Sequence, residues 1–573
     1  MEGERQEDRP RLLVVGLDGA TFDLIRPWAR ADRLPTMARL LEEGVSAPLR
    51  SVPNMNSAPA WSSFATGLNP GKHGIFYFDE RIPGTYAKRY LNGSFRHGAP
   101  FWRLLSQAGY RVGIINVPMT YPAEEVNGYM LAGLDTPVPG SPAFSYPRGL
   151  AAELKARVGD YIIEPGVPGY IKAGRRDRAR ARIFEALEKR LAYALHLAQS
   201  FPTDVMVVVF TATDAAQHFF WKDMDPSHPE HDPAEAATYE DTILRVYQRL
   251  DQAVAQLMEA MPGARVMLVS DHGGGFNQRG AEFLNPWLAA QGLLRLATPG
   301  AGARGSLGAR ARGAALETLR WGYGLVDRHF TRETKQKLAL LLPGLRGRVE
   351  GSLIFQGVDW PATRAYAFGA RDDLWVNLRG REPLGAVEPG EEYEVLRNLL
   401  LDRLRATLDW AREEPVVEWA ARREDVYAGP FVERAPDILL QWRTEFVLSG
   451  LYLPQPDKPK PPAPAPKPNL NNGGHRPHGI FVMAGEGIRR GVALPEAHIV
   501  DVAPTILHLF GVPVPQDADG RVLREVWAPE GEPGQREEQR AGPAGPEAPS
   551  RADYSEEEAR LVEERLRGLG YVE

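Results

Sequence analysis

Cysteine is missing from all 573 residues. Its absence removes disulfides, thiolate metal sites and cysteine nucleophiles at once, and leaves histidine, aspartate, glutamate and hydroxyl side chains to carry any chemistry. Long apolar runs are missing too. No stretch reaches the ~18 residues that cross a bilayer, and the amino terminus, MEGERQEDRP, is charged where an export signal would need an apolar run of ~7 residues. Neither sign of charge dominates: 68 Lys+Arg stand against 74 Asp+Glu, a net charge of -6, so no specific nucleic-acid partner is indicated. These absences lead to the expectation of a cytoplasmic chain with no transmembrane segment.

What is present is an alternation of short apolar runs with longer amphipathic ones. RLLVVGLD (11–18), YRVGIINVP (110–118), DVMVVVF (204–210), ARVMLVSD (264–271) and HGIFVMAG (478–485) have the near-continuous apolar character of strands covered on both faces by helices. Residues 182–199 and 241–261 place apolar side chains at spacings of three and four and read as crossover helices. The expected fold is therefore an α/β sandwich with a mostly parallel central sheet. Its first part would span 1–295. Residues 296–450 would be an inserted α/β cap opening on a Gly- and Arg-rich stretch, 451–469 a proline-rich, extended connector, and 470–527 the last part of the core. Residues 528–573, poor in large apolar side chains, would be a disordered tail with a short terminal helix.

Several aspartates and histidines fall where strands end, and open parallel sheets place their ligands outside those ends. Asp18 closes the first run, Asp214 and His218 follow VMVVVFTAT, and Asp271 and His272 close VMLVSDH. Asp214 and His218 stand four residues apart, on one face if TDAAQHFFW is helical. His475 precedes its run and would have to arrive on a loop. Each alone is explained by capping or an Asx turn; jointly they offer oxygen and imidazole donors suited to Zn, Mn or Fe(II), enough for two ions. Two such ions would clamp the attacking and leaving oxygens of a displacement at phosphorus.

The stretch NSAPAWSSFATG (56–67) holds four hydroxyl side chains. Pro59 suits a first helical position, so Ser57 reads as an N-terminal cap. The same geometry would point its hydroxyl at a helix end that favours phosphate, and a bound metal would make it a nucleophile. GLNPGKHG (67–74) has three residues between its glycines and His73 after the lysine, so it is not a phosphate loop, and GLDGATFD lacks dinucleotide spacing.

With VVGLDGATFDLI, LPTMARLLEEG, SAPAWSSFATGLNPGKHGIFYF, TATDAAQHFFW, VSDHGGG, NGGHRPHGIFVMAGEGI and DVAPTILHLFGVPVPQDADG in order, the chain resembles the alkaline phosphatase superfamily, in its type I phosphodiesterase and nucleotide pyrophosphatase-like branch. The resemblance implies a three-layer alkaline-phosphatase-like sandwich with an inserted cap that governs selectivity. It implies one divalent ion, most simply Zn, among Asp18, Ser57, Asp271 and His272, and a second among Asp214, His218 and His475. Ser57 would be the nucleophile, forming a phosphoserine that water then cleaves. Lys72 and His73, close to it in sequence, are candidates for contacting a phosphate oxygen. Phe78 stands about where nucleotide pyrophosphatases carry an asparagine, and Trp61 stands where sulfatases need arginine.

The expectation is a metal-dependent hydrolase of phosphoric esters, whether diester, monoester or pyrophosphate, acting on a phosphorylated small molecule. Two readings stay open beside it: a mutase that returns the same phosphoserine to its substrate, and a metal-stabilised binding protein without activity. Oligomeric state is left open.

Overall fold

The computed structural model describes residues 9–297, 357–369, 371–456, 459–464, 470–542 and 551–569. The Gly- and Arg-rich opening of the expected insertion lies outside the described residues, as do 457–458 and 465–469 of the proline-rich segment and 543–550 of the tail.

Twelve strands position the site: β1 (Leu12–Leu17), β2 (Gly44–Arg50), β3 (Val112–Ile115), β4 (Gly128–Leu131), β5 (Ser145–Tyr146), β6 (Val205–Phe210), β7 (Arg265–Val269), β8 (Gly273–Phe276), β9 (Gly473–Arg476), β10 (His478–Ala484), β11 (Val492–Ala493) and β12 (Ala497–His498). Ten of them form one sheet in the order β11-β2-β10-β7-β1-β6-β3-β4-β5, with β12 also on β2. The run from β7 to β4 is parallel throughout. β10 is antiparallel to both β7 and β2, so β2 points the same way as the parallel run. β8 and β9 form a separate antiparallel pair with Gly274 opposite His475.

Every side chain of β1 is buried, and its residues divide between two cores. Leu13, Val15 and Leu17 join one cluster, Leu12 and Val14 the other, as the two-residue period of a strand requires. Six helices matter below: α1 (Ser57–Thr66), α2 (Arg176–Ser200), α3 (Ala212–Met224), α4 (Thr242–Ala260), α5 (Val502–Leu509) and α6 (Glu556–Leu569). Ile183 and Leu187 of α2, Phe219 and Phe220 of α3 and Ile243 and Leu250 of α4 cover the first face. Trp61 and Phe64 of α1 with Val502 and Ile506 of α5 cover the second. This is the mixed α/β sandwich, with a mostly parallel sheet between helices, that the apolar runs imply. No described helix is long and apolar enough to cross a membrane.

The described residues of Met1–Glu80, Tyr90–Gly280 and Arg403–Glu573 pack as one compact unit, and those of Arg81–Arg89 and Ala281–Asp402 as a second. The second is built on helix Ala281–Ala290 and the antiparallel pair Ala365–Tyr366 with Asp373–Val376. The first includes Val417–Arg422 and Ile438–Trp442, which pair antiparallel.

The short helix expected near the end of the tail lies at α6, Glu556–Leu569, and it packs on the core. Val562 and Leu566 on α6 are fully buried, and Arg565 donates to the carbonyls of Leu134 (2.8 Å) and Pro137 (2.7 Å).

Candidate metal centre and nucleophile

The parallel strands deliver their carboxyl ends to one edge of the sheet. Asp18 follows β1 there, Thr211 and α3 follow β6, and Asp271 and His272 follow β7. β2 runs the same way, so the loop after Arg50 carries Ser57 to the same edge. His475 reaches it by the opposite logic: β10 is antiparallel, so its amino end lies where its neighbours' carboxyl ends lie.

All seven expected residues meet there. Ser57 Oγ stands 3.2 Å from His272 Nε2, which is 3.3 Å from Asp271 Oδ2 and 3.7 Å from Asp18 Oδ1. Asp214 Oδ1 lies 3.1 Å from His218 Nε2 and 3.5 Å from His475 Nε2, and the two imidazole Nε2 atoms are 3.0 Å apart. Two tight sets, Asp18, Asp271 and His272 and then Asp214, His272 and His475, each offer three ligand atoms within 4.8 Å of one another. His272 belongs to both, its ring stacked on that of His475 at 3.7 Å.

The donors fit divalent cations on structural grounds. Nδ1 of His218, His272 and His475 each faces a backbone carbonyl, of Gly473 (2.9 Å), Gly273 (3.0 Å) and Met55 (2.7 Å). A carbonyl only accepts, so Nδ1 carries the proton and a neutral ring turns a lone pair on Nε2 toward the cluster. Asp18 Oδ1 and Asp271 Oδ2 are buried and receive no hydrogen bond among the described residues. Buried acceptors without donors are costly, and a cation relieves several at once.

Burial, together with the charges of Asp271 and Asp214, pushes the Asp18 carboxyl well above its usual range. Burial has the same effect on Asp214, but His218 and His475 outweigh it and hold that carboxyl well below. Burial and the neighbouring His272 bring His475 down to about 4.

Three supports were not foreseen. Trp61 Nε1 donates to Asp18 Oδ2 at 3.4 Å, one helical turn after Ser57. Gly19 N donates to Asp271 Oδ1 at 3.3 Å. Asn472 accepts from Lys222 N (2.9 Å) and donates to Phe219 O (3.1 Å), fastening the end of α3 to the start of β9. Its neighbour Gly473 permits the approach, since a Cβ there would lie 2.0 Å from the Gln217 carbonyl oxygen. The sequence signal is NNGGH, where two amides and two glycines precede the histidine.

Two expectations need correction. The cap of α1 is Asn56, whose side chain accepts from Ala58 N at 3.2 Å, and the helix starts at Ser57; the Ser57 hydroxyl is thereby released from capping. Lys72 and His73 are committed elsewhere. Lys72 Nζ pairs with Asp519 Oδ1 at 2.5 Å and the Asp517 carbonyl at 2.9 Å. His73 is fully buried, its Nδ1 accepting from Ile75 N (3.1 Å) and its Nε2 facing Ser63 Oγ (3.0 Å). Ser62 and Thr66 bond back to carbonyls of their own helix at 2.7 and 2.8 Å.

Residues 12–338, more than half of the chain, match the family model of type I phosphodiesterase / nucleotide pyrophosphatase. The chain belongs to this family. Phosphodiesterase-family membership makes it a metal-dependent hydrolase of phosphoric esters. Among solved structures, phosphonoacetate hydrolase from Sinorhizobium meliloti 1021 in complex with phosphonoacetate is similar with a TM-score of 0.50 and 16% identity, over 88% of this chain and 96% of that one. It has the same alkaline-phosphatase-like fold. Murine ectonucleotide pyrophosphatase / phosphodiesterase 5 gives a TM-score of 0.42 and 13% identity over the same shares. No curated protein matches the chain.

Proposed function

We propose that this phosphodiesterase-family enzyme cleaves its ester in two displacements through a phosphoserine on Ser57. The observation that carries the reading is Ser57 Oγ at the start of α1, 3.2 Å from His272 Nε2 and beside Asp18 and Asp271. Asp18, Ser57, Asp271 and His272 would hold one divalent ion, and Asp214, His218 and His475 a second; the all-oxygen and imidazole set favours Zn, with Mn and Fe(II) as alternatives. Bound there, the ions would lower the pKa of the Ser57 hydroxyl and neutralise charge on the reacting phosphoryl group.

Ser57 sits at the first helical position of α1, at the positive end of the helix dipole, which favours a phosphate. Its oxygen forms the new bond to phosphorus as the bond to the leaving alcohol breaks. Water then cleaves the Oγ–P bond and restores the hydroxyl. Two inversions give net retention at phosphorus. Selectivity among phosphorylated small molecules is assigned to the inserted segment, and the absence of cysteine supports a cytoplasmic setting.

Ser57→Ala decides the matter. Turnover on a panel of diesters, monoesters and pyrophosphates should fall at least about a thousandfold, with metal content kept. Full turnover in that variant, or inversion at a chiral phosphorus, would sink the phosphoserine. Isomerised product without released phosphate would turn the same intermediate to a mutase.

A further inference from the structure

The chain places a proline-rich segment on an aromatic ribbon. Leu408–Asp409 pairs antiparallel with Leu451–Tyr452. Trp410 Nε1 donates to the Pro461 carbonyl at 2.9 Å. Lys460 Nζ lies 4.7 Å over the Trp410 ring and 5.1 Å over that of Tyr452, and pairs with Glu413 Oε1 at 2.5 Å. Pro464 packs on Gly450, where a Cβ would come 2.5 Å from the proline Cγ.

The ribbon is built to hold these groups still. Asp409 is buried and accepts from Ala411 N (3.0 Å), Arg412 N (2.8 Å) and Ser449 N (2.7 Å). That carboxylate fixes the turn that sets Trp410 and Glu413 on one side. An indole N–H aimed at a proline-segment carbonyl, an aromatic floor, and an acid for a flanking cation are the elements by which aromatic grooves read polyproline helices. Proline favours that helix, so the ligand loses little entropy on docking, and its carbonyls stay exposed as acceptors.

We propose that this ribbon is a recognition site for basic proline-rich segments, occupied in cis by residues 459–464 of the chain itself. A tethered segment acts at an effective concentration on the order of 1 mM, so it shields the groove from other ligands until it is displaced.

The test silences the tethered segment with Pro459→Ser, Pro461→Ser, Pro462→Ser and Pro464→Ser in the full chain. A fluorescein-labelled peptide of residues 453–469 is then titrated and followed by anisotropy. The silenced chain should bind it saturably, and the unmodified chain about tenfold more weakly. Adding Trp410→Phe, which keeps the ring and loses the N–H, should weaken capture several-fold. Glu413→Lys should do the same and be rescued by a peptide carrying Lys460→Glu. Far-UV circular dichroism and metal content should match those of the unmodified chain in every variant, which separates lost binding from unfolding. No saturable binding by the silenced chain, equal binding by the unmodified chain, or capture indifferent to Trp410→Phe would overturn the proposal.

Discussion

His218 and His475 face each other through Nε2 atoms 3.0 Å apart while each ring's Nδ1 lies at hydrogen-bond distance from a backbone carbonyl. Two lone pairs at that distance repel unless a proton or a cation stands between them. Asp214 Oδ1, within 3.5 Å of both, deepens the demand for a cation. Chelation of the purified enzyme should therefore lower its melting temperature by several degrees, with recovery on adding Zn, since a ligand held at about a hundred times its Kd stabilises by ~2.7 kcal/mol. An unchanged melting temperature after complete metal removal would count against a cation at this site.

Trp61 ties α1, the helix that carries Ser57, to the Asp18 carboxylate through its indole N–H. Trp61→Phe keeps most of the buried ring and removes the donor. Metal affinity should fall about tenfold, the lower end for lost outer-shell partners. The thermal stability of the metal-free protein should change little, and metal titration followed by calorimetry reads the difference. Equal affinity in both proteins would reduce Trp61 to packing.

Much of this was legible in the chain, and the limits have physical causes. The five apolar runs became β1, β3, β6, β7 and β10 because each is buried on both faces, which leaves an unbroken apolar signature whatever the strand's direction. Direction is what the signature cannot encode. The antiparallel β10 therefore hid how His475 reaches the edge, and β2, interrupted by Ser46 and Pro48, was not read as a strand. The metal-type residues were visible since strand ends are marked by acids and histidines. Asn56 was overlooked as the cap because Ser57 fits the same preference. Lys72 and His73 were misplaced because nearness in sequence to Ser57 says nothing about which way a one-turn helix at Pro70–His73 faces.

Asn472 is the joint between α3 and β9. Asn472→Ala would strand Lys222 N and weaken the packing that holds His475 against Asp214. Folding stability should drop by about 2–4 kcal/mol, as expected for losing two buried hydrogen bonds. If the proposed two-ion site is correct, bound metal should fall toward one ion per chain. Equilibrium denaturation and elemental analysis of the same sample check both. A destabilised protein still holding two ions would show that Asn472 supports the fold without positioning the site.

His73 makes a pH prediction. Burial, reinforced by the positive charge of Arg96, brings its imidazole down to about 3 from an ordinary 6.5. The folded state thus refuses a proton that the unfolded state accepts, so the unfolded chain binds more protons between those values. Stability is present above pH 6.5 and drains away as pH falls toward 3, by roughly 2 kcal/mol at pH 5. His73→Asn keeps an acceptor for Ile75 N and cannot titrate. At pH 8 the variant should be less stable by about 1–3 kcal/mol, because the smaller side chain leaves a void. That deficit should shrink steadily on acidification and close near pH 5. Urea denaturation of both proteins at pH 8, 6.5 and 5 measures the gap; a gap that stays constant across the series would mean that His73 does not titrate differently in the folded and unfolded chain.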